Sequence, residues 1–482
     1  MIRFVFLLIC CLSVALTPAL LAQEEPPLSA PRSSGLELWP AEVESDGLPG
    51  PDDEESPAAV PPAPPKPPTS ATEVVKAILG LVVLVVLAYL GGHPKVQQIE
   101  DKLRISQVVT AGLPFVLLGV IAHHPNVEIL SDGVLHAIRP ILPLGLGWIG
   151  FAVGFRFDAQ SVEALPKGAA RAVALTTLLP FAAIVASCGL VLFFTDPSLA
   201  GSDFLRDAII LGTAGAMTAR TVPRLMEAMG VEQNRVARVS SIVQLEQLAG
   251  VLGLMMVAAY FRPQGSDVGW QLPGTAWLFI TLGAGTMMGG VIYAMLGRLK
   301  AGPEFTVLLL GSVCFAAGMS SFLRLSPVAV CFIAGVILVN FPGGWKQDVR
   351  EALERLERPI YLLFLVIAGA LWQPADWRGW VLMALFVSTR LAGKWFGMHL
   401  FRKHRMGDLN PEEERALALA PIGALSIAIV VNAQDLYFGP ALPWMVTAVI
   451  GGGIATEIIL QAFSRNTPTQ RESIERMFAP GD

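Results

Sequence analysis

The chain alternates between long apolar runs and short charged segments from about residue 73 to residue 463. Thirteen runs of 17 to 26 residues recur. Each is long enough for a helix to cross the ~30 Å hydrocarbon core of a bilayer. The pattern predicts an all-α polytopic membrane protein with about 13 transmembrane helices. The predicted segments are 73–92, 106–123, 134–155, 169–194, 206–229, 238–260, 274–297, 305–323, 325–342, 357–373, 379–401, 415–434 and 441–463.

Composition agrees with a chain that lies in a lipid bilayer. Of its 482 residues, 53% are hydrophobic and 15% are charged, whereas a soluble domain carries about 25% charged residues. The formal net charge of −5 does not favour a nucleic-acid partner. No Cys-x-x-Cys or His-Glu-x-x-His spacing occurs, so the sequence predicts neither a metal site nor a cofactor.

The ends of the chain differ from the apolar middle. Residues 1–22 are typical of a signal peptide, with Arg3 before an apolar core and small residues up to Ala22; an uncleaved anchor would give the same topology. Residues 23–72 hold 13 of the 36 prolines and ten acidic residues, which predicts a disordered extracytoplasmic linker. Residues 464–482 form a short tail after the transmembrane domain, 73–463.

The basic residues indicate how the predicted helices thread the membrane. Alternate loops carry nineteen Lys and Arg residues on one side and four on the other. Because positive charge concentrates on the cytoplasmic side, the N-terminus is predicted outside and the C-terminus inside. A helical protein with a signal peptide is expected in the inner (cytoplasmic) membrane, since outer membranes hold β-barrels.

Two of the apolar segments contain charged residues at matching depth. Glu246 lies in "SIVQLEQLAGVLGLMM", eight residues from Arg238 at the cytoplasmic end. Lys394 lies eight residues from Arg402, and Arg390 is one turn further along the same helix face. Eight residues correspond to ~12 Å of helix, so we expect Glu246 to pair with Lys394 or Arg390. Two alternatives to a functional ion pair remain. The pair could serve only to fix helix packing, or Lys394 could extend to the membrane surface and leave Glu246 unpaired.

Two segments are poor continuous helices. The fifth contains Gly212, Gly215, three threonines and Pro223, with Arg220 among them, and the twelfth contains Pro421 and Gly423. Segments 4–6 and 11–13 start from opposite sides of the membrane, and each has its broken helix in the middle. Such an inverted repeat predicts a transport site near the midplane, where the freed backbone groups face protein or a wet cavity.

Four stretches are similar to the sodium/hydrogen exchanger superfamily, in particular to bacterial monovalent cation:proton antiporters of the Kef and Nap type. They are "LGLGWIGFAVGFRFD" (144–158), "AMTARTV" (216–222), "LRLSPVAVCFIAGVILVN" (323–340) and "ERPIYLLFLVIAGALW" (357–372). They occur in the order of the family, which also has thirteen helices. The resemblance implies two crossed broken helices in a mobile core domain, a dimerisation domain and a homodimer.

The resemblance also implies where ions would bind. In the family, an Asp-Asp or Asn-Asp pair on the sixth helix faces a Lys or Arg on the eleventh. The basic residue maps onto Arg390 or Lys394. The acidic pair maps onto Glu246-Gln247 in one register and onto Ala249-Gly250 in another, and neither contains an aspartate. Glu246 is therefore the expected exchange carboxylate. Further candidate ligands are Gln247, Gln244, Thr218 and Thr213, and the candidate ion-pair partners are Lys394, Arg390 and Arg220.

These features together predict an antiporter that exchanges Na⁺ or K⁺ for protons by alternating access. An anion carrier is a second hypothesis, because Arg220, Arg390 and Lys394 outnumber the nearby acid. A non-transporting sensor or scaffold is a third, because the usual aspartate is absent. An enzyme is the least favoured class, since no GxSG nucleophile or metal cluster lies in the predicted helices.

Overall fold

The structure is a computed structural model. The proposed signal peptide, the linker, the first apolar segment and the tail beyond residue 464 lie outside the residues that it describes. These described residues are 113–124, 130, 135, 141–159, 169–195, 202–220, 222–223, 226, 231–262, 272–297, 302–404 and 409–464.

The described residues form thirteen α-helices and no β-strand, which confirms the all-α fold class. They cover twelve of the thirteen predicted segments, because the twelfth is divided into α11 and α12. The helices are α1 (Leu113–His123), α2 (Ile141–Gly154), α3 (Ala169–Thr195), α4 (Ser202–Ala216), α5 (Gln233–Tyr260), α6 (Gly274–Leu296), α7 (Pro303–Phe322), α8 (Pro327–Asn340), α9 (Lys346–Leu371), α10 (Trp377–Lys403), α11 (Pro411–Ala418), α12 (Ala424–Leu436) and α13 (Leu442–Ser464).

Length and composition identify membrane-spanning candidates among these helices. Within the described part of the chain, five helices are both long and apolar enough to cross a bilayer: α3, α5, α6, α7 and α13. Three shorter helices, α2, α8 and α12, are apolar as well. The fold is that of a multi-pass membrane protein.

The helices pack into two groups. In the first, the core group, α3, α4, α5 and α10–α13 pack on one another. The second group, called the flanking group, consists of α1, α2 and α6–α9, which also pack on one another. The groups meet where α5 contacts α6 and α8, and where α12 contacts α2 and α8. Helix α9 has its main contacts with α1 and α2, inside the flanking group.

Close backbone contact between α2 and α8 holds the flanking group together. A Cβ atom at Gly154 would lie 2.1 Å from the carbonyl oxygen of Phe332, and one at Gly335 would lie 2.5 Å from that of Phe151. Both distances are shorter than any tolerated contact, so only glycine fits there. Small residues at helix crossings serve this purpose in membranes, where van der Waals packing drives helix association.

A buried polar contact joins the two groups where α8 begins. Ser326 precedes α8, and its hydroxyl accepts a hydrogen bond from the backbone N–H of Ala329, which caps the helix. The same hydroxyl donates to Oδ1 of Asn432 on α12, at 3.0 Å. Ser326 and Asn432 are both fully buried, so this contact excludes water.

The α2–α8 crossing generates the first prediction. Gly154→Leu forces the two backbones apart, and overpacking of this kind costs about 1–3 kcal/mol or more. We expect a lower melting temperature and loss of monodispersity in detergent, measured by thermal unfolding and size-exclusion chromatography. Gly290→Leu on α6 is the control, because a Cβ atom at that position would meet no other atom within 4 Å. Equal stability of the two variants would contradict the proposed tight crossing.

Candidate functional site

Two interrupted helices cross inside the core group. Helix α4 ends at Ala216 and leads into a non-helical stretch, 217–220. Helix α11 ends at Ala418, and α12 begins only at Ala424. The two interruptions touch, because the backbone N–H of Ala219 donates to the carbonyl of Pro421 at 2.9 Å. One freed donor is thereby paired with one freed acceptor, as interrupted backbone at membrane depth requires.

The second break lies at the predicted positions. Pro421 has no N–H to donate within a helix, and α12 starts directly after Gly423. A Cβ at Gly423 would lie 3.0 Å from the Cα of Ala219, so the absence of a side chain lets the two breaks approach. Proline and glycine therefore act here as the sequence indicates.

The first break corrects the sequence prediction. Gly212 and Gly215 do not interrupt α4, because both lie inside the regular helix and the break begins at Met217. Their role is close packing: a Cβ at Gly212 would lie 2.6 Å from Val185, and one at Gly215 would lie 2.4 Å from Ile184. The helix ends where its backbone carbonyl groups accept hydrogen bonds from outside the helix, and not at a glycine.

Arg390 supplies those contacts. Its guanidinium donates to the carbonyls of Gly215 and Met217, each at 2.9 Å, on one broken helix. It also donates to Ala420 at 2.6 Å and to Pro421 at 3.3 Å on the other. These carbonyls end α4 and α11, where the helix dipole concentrates negative charge. The sequence offered Arg390 as an alternative partner for Glu246, but its hydrogen bonds go to the backbone of the crossing.

Close packing of α10 against α3 brings Arg390 to this position. A Cβ at Gly393 would lie 2.7 Å from the Cα of Pro180, and one at Gly397 would lie 2.8 Å from the carbonyl of Leu175. These glycines lie near Arg390 and Lys394 along α10 and let it press against α3. The two cationic side chains are thereby held inside the core group, and both are fully buried.

Lys394 forms the predicted intramembrane ion pair. Its ammonium lies 3.0 Å from Oε2 and 3.1 Å from Oε1 of Glu246, and it also donates to the Thr218 hydroxyl at 2.8 Å. Glu246 and Lys394 have no exposed surface. A bare charge at such a place would cost several kcal/mol, which pairing offsets. Lys394 therefore does not reach the surface.

The remaining candidate ligands differ in their positions. Nε2 of Gln247 donates to the carbonyl of Thr218 at 3.4 Å, which places this amide beside the ion pair. Gln244 precedes Glu246 by two positions, about 200° around the helix, and is half-buried on another face of α5. Thr213 donates to the carbonyl of Ile209 on its own helix and packs against Gly253. The structure thus groups Gln247 and Thr218 with Glu246, and leaves Gln244 and Thr213 apart.

Arg220 has a different partner from the predicted one. It lies 3.1 Å from Oε1 of Glu357 on α9, whose Oε2 is 2.9 Å from Arg156, just beyond α2. Glu357 therefore joins one arginine from each helix group. The three side chains are between 21% and 34% exposed, so this cluster is partly hydrated.

Three polar residues outside the sequence-based candidates are also notable. Glu357 is the first residue of the predicted segment 357–373, and its position beside two arginines depends on the tertiary structure. Asn432 lies in a broken helix and contacts Ser326. Glu457 lies in the last apolar segment and is 8% exposed. The rule that selected Glu246, an acid within a spanning run, also selects Glu457.

The grouping brings together side chains of the kinds that bind and release ions. Four side chains meet beside the two interrupted helices: the carboxylate of Glu246, the ammonium of Lys394, the hydroxyl of Thr218 and the amide of Gln247. The backbone carbonyl of Thr218 lies there as well. Oxygen atoms of these types suit hard cations. No set of three His, Cys, Asp or Glu side chains placed to hold a metal occurs among the described residues.

Solved structures with this arrangement of helices are known. The sodium proton antiporter MjNhaP1 from Methanocaldococcus jannaschii, in its structure at pH 8, matches with a TM-score of 0.57 and 15% identity over 81% of this chain and 97% of that chain. Its electron-microscopy map matches with a TM-score of 0.52 and 17% identity over 86% and 100%. The chain shares this antiporter's fold. No protein-family model and no curated protein matches the sequence.

Arg390 provides a test of the crossing. Lysine has one point charge in place of a planar fork of donors, so Arg390→Lys leaves two or more buried carbonyls unpaired. Each unpaired group costs about 1–3 kcal/mol, and we expect a large fall in melting temperature in detergent. Arg350→Lys on α9, at an exposed position, is the matched control. An Arg390→Lys protein as stable as the control would show that the carbonyl contacts are dispensable.

The shared carboxylate of Glu357 provides a second test. Because the three side chains are partly exposed, Glu357→Gln should lower the free energy of unfolding by only about 1 kcal/mol. Arg220→Gln should then cost less in the Glu357→Gln background than in the wild type, as a double-mutant cycle by thermal unfolding would measure. Strict additivity of the two substitutions would contradict the bridge.

Proposed function

We propose that this protein is a secondary active transporter that exchanges a monovalent cation, Na⁺ or K⁺, for protons by alternating access. The buried contact between Lys394 and Glu246 at the crossing carries the proposal. A carboxylate that is paired inside the membrane, beside interrupted helices, is a typical ion-coupling arrangement. The shared fold with a sodium proton antiporter supports the same function.

Charge conservation explains how this pair would couple the two ions. The ion pair has no net charge, and its side chains are fully buried. A monovalent cation that binds Glu246 displaces the ammonium of Lys394, which keeps the site neutral by releasing its proton. When the cation leaves, Lys394 takes up a proton and pairs with Glu246 again. One cation is exchanged for one proton, and the site gains no net charge at either step.

Neighbouring groups would complete the cation's shell. The Thr218 hydroxyl, which now accepts from Lys394, and the Thr218 carbonyl, which now accepts from Gln247, both lie beside the carboxylate. With a single carboxylate, the site balances one positive charge, which favours a monovalent over a divalent cation. Access from alternate sides would follow from movement of the core group against the flanking group.

The anion-carrier hypothesis has less support from the contacts. Arg390 donates to four backbone carbonyls, Lys394 binds Glu246 and Thr218, and Arg220 pairs with Glu357. Each proposed anion ligand is therefore engaged with an oxygen acceptor. A sensor or scaffold without transport is an alternative outcome of the experiment below.

Other parts of the proposal come from the sequence and the resemblance. We propose a location in the inner membrane with an extracytoplasmic N-terminus and a cytoplasmic C-terminus, a homodimer and a relationship to the Kef and Nap type. Neither a cofactor nor an enzymatic activity is part of the proposal.

Transport in proteoliposomes tests the function. Purified protein is reconstituted around a pH-sensitive dye, and Na⁺, K⁺, Li⁺ or a bulky organic cation is added outside. We expect proton flux with at least one alkali cation in the wild type, and at least a tenfold loss in Glu246→Gln, because the amide cannot exchange a cation for an ammonium. Gln244→Glu, off the site on the same helix, should keep the flux.

A substitution of Lys394 distinguishes cation binding from the coupling of that cation to a proton. In Lys394→Gln, the carboxylate still attracts a cation, but the residue that releases the proton is absent. We expect cation binding, measured by isothermal calorimetry on folded protein, without coupled proton flux. Full coupled flux in Glu246→Gln would remove Glu246 as the carrier, and no flux with any cation in folded wild-type protein would favour the sensor or scaffold.

A further inference from the structure

A second acidic residue lies near the crossing, and the proposed exchange does not use it. Glu457 is on α13 and is 8% exposed. Its neighbour Thr456 accepts a hydrogen bond from the backbone N–H of Ile422 in the second break, at 3.3 Å. Glu457 therefore lies at the level of the crossing, on a different face of α13.

One residue of the flanking group lies near Glu457. Tyr361 on α9 lies within electrostatic range of Glu457, and also of Glu357 and Arg220. Glu457 thus stands at the boundary between the two helix groups, beside the partly hydrated cluster of Arg156, Glu357 and Arg220. Any movement of the core group against the flanking group would change its surroundings.

Among the described residues, Glu457 makes no hydrogen bond or ion pair. Charged groups of the three helices that pack on α13, namely α4, α10 and α12, have other partners. On α12, Asp435 is not free. On α10, Arg390 binds the crossing carbonyls and Lys394 binds Glu246. On α4, Arg206 and Asp207 pair with each other near the end of the helix remote from the crossing. Glu457 thus differs from Glu246, which forms an ion pair with Lys394.

The side chain of Glu457 is mostly buried, although its carboxylate oxygens keep some accessible surface. A carboxylate in such a place without a cationic partner is more stable when it carries a proton or binds a cation. A dehydrated alkali cation needs several oxygen ligands. Within the described part of the facing helix, the side chain that lies in electrostatic range of Glu457 is Tyr361, which offers a single hydroxyl. A proton needs only the carboxylate. The surroundings therefore favour a proton over a metal cation at this position.

We propose that Glu457 is a second proton-binding site, loaded from one side of the membrane and emptied to the other as the core group moves. The carboxylate takes a proton from water on the side where the cation leaves and Lys394 is reprotonated, and returns it to water on the side where the next cation binds Glu246. The core group thus crosses with both protons and no cation in one direction, and with the cation and a deprotonated Glu457 in the other. This inference rests on the proposed function. Transport would then carry two protons for each monovalent cation, one from Lys394 and one from Glu457, and would be electrogenic.

Stoichiometry is the functional test. In proteoliposomes, the membrane potential at which flux reverses is measured at fixed proton and cation gradients. We expect two protons per cation in the wild type and in Glu354→Gln, an exposed acid on α9. In Glu457→Gln we expect one proton per cation, with transport that no longer responds to the membrane potential. An unchanged ratio in Glu457→Gln would overturn the proposal.

Proton binding can also be measured without transport. Infrared difference spectra of the purified protein, recorded between acid and alkaline pH, report the carbonyl stretch of a protonated carboxyl in an apolar site. That band should be lost in Glu457→Gln, kept in Glu354→Gln and shifted in Tyr361→Phe. A band that persists in Glu457→Gln would refute proton binding there.

The two experiments separate this inference from the proposed function. If the wild type moves no cation, the antiport proposal fails, and the infrared band alone decides whether Glu457 binds a proton. If coupled flux occurs but the band is unaffected by Glu457→Gln, only the present inference fails. Should Glu457→Gln unfold, Glu457→Asp keeps a carboxyl group and should retain a displaced band; absence of any displacement would contradict the assignment.

Discussion

The contact between Arg390 and the carbonyl groups of two interrupted helices is the constraint on which the rest of the core group depends. Interrupted backbone at membrane depth leaves acceptors that neither water nor lipid can satisfy. One guanidinium meets four of them, from Gly215 and Met217 on one side of the crossing and from Ala420 and Pro421 on the other. Lysine has neither the number nor the geometry of donors to replace it.

The same contact determines where the ion pair lies. Lys394 follows Arg390 by one turn on α10, so the fixed guanidinium places the ammonium next to Glu246 and Thr218. The two cations thereby have separate functions. Arg390 has only backbone partners that it cannot exchange, whereas Lys394 has a carboxylate that a cation can also bind. Under the proposed exchange, a structural cation and an exchanging cation one turn apart would let the site change its ligands while the crossing stays intact.

The sequence predicted the elements that depend on local pattern and missed those that depend on tertiary contacts. Apolar period and length predicted twelve of the observed segments, and Pro421 and Gly423 predicted the second break. The depth of Glu246 and Lys394 predicted the ion pair, because helix rise converts residue count into distance. For the first break, Thr218 lies in the interruption as predicted, whereas Gly212 and Gly215 lie in the regular helix. The contact of Arg390 with the Gly215 carbonyl, far away in sequence, could not be predicted from the local pattern.

The assignment of Arg220 failed for a similar reason. Its partner Glu357 lies in another helix group, and residue spacing contains no information on which groups meet. Gln244 was selected by residue type, although two positions along a helix turn a side chain to another face. Glu457 was missed for a different reason. It is an acid within a predicted spanning segment, so the sequence alone could have identified it as a candidate.

Two contacts between the helix groups differ in their hydration, and this difference bears on the proposed movement. Ser326 at the start of α8 meets Asn432 in a fully buried contact, whereas Arg156, Glu357 and Arg220 meet in a partly hydrated one. Glu357 shares its two oxygens between Arg156, in its own group, and Arg220, in the other. If the groups separate there, Glu357 keeps a cation and Arg220 enters water, so little free energy is lost. Separation of Ser326 from Asn432 would expose a dry contact without such a substitute. If the two groups move as the proposed alternating access requires, we therefore expect the contact that contains Glu357 to open at lower cost.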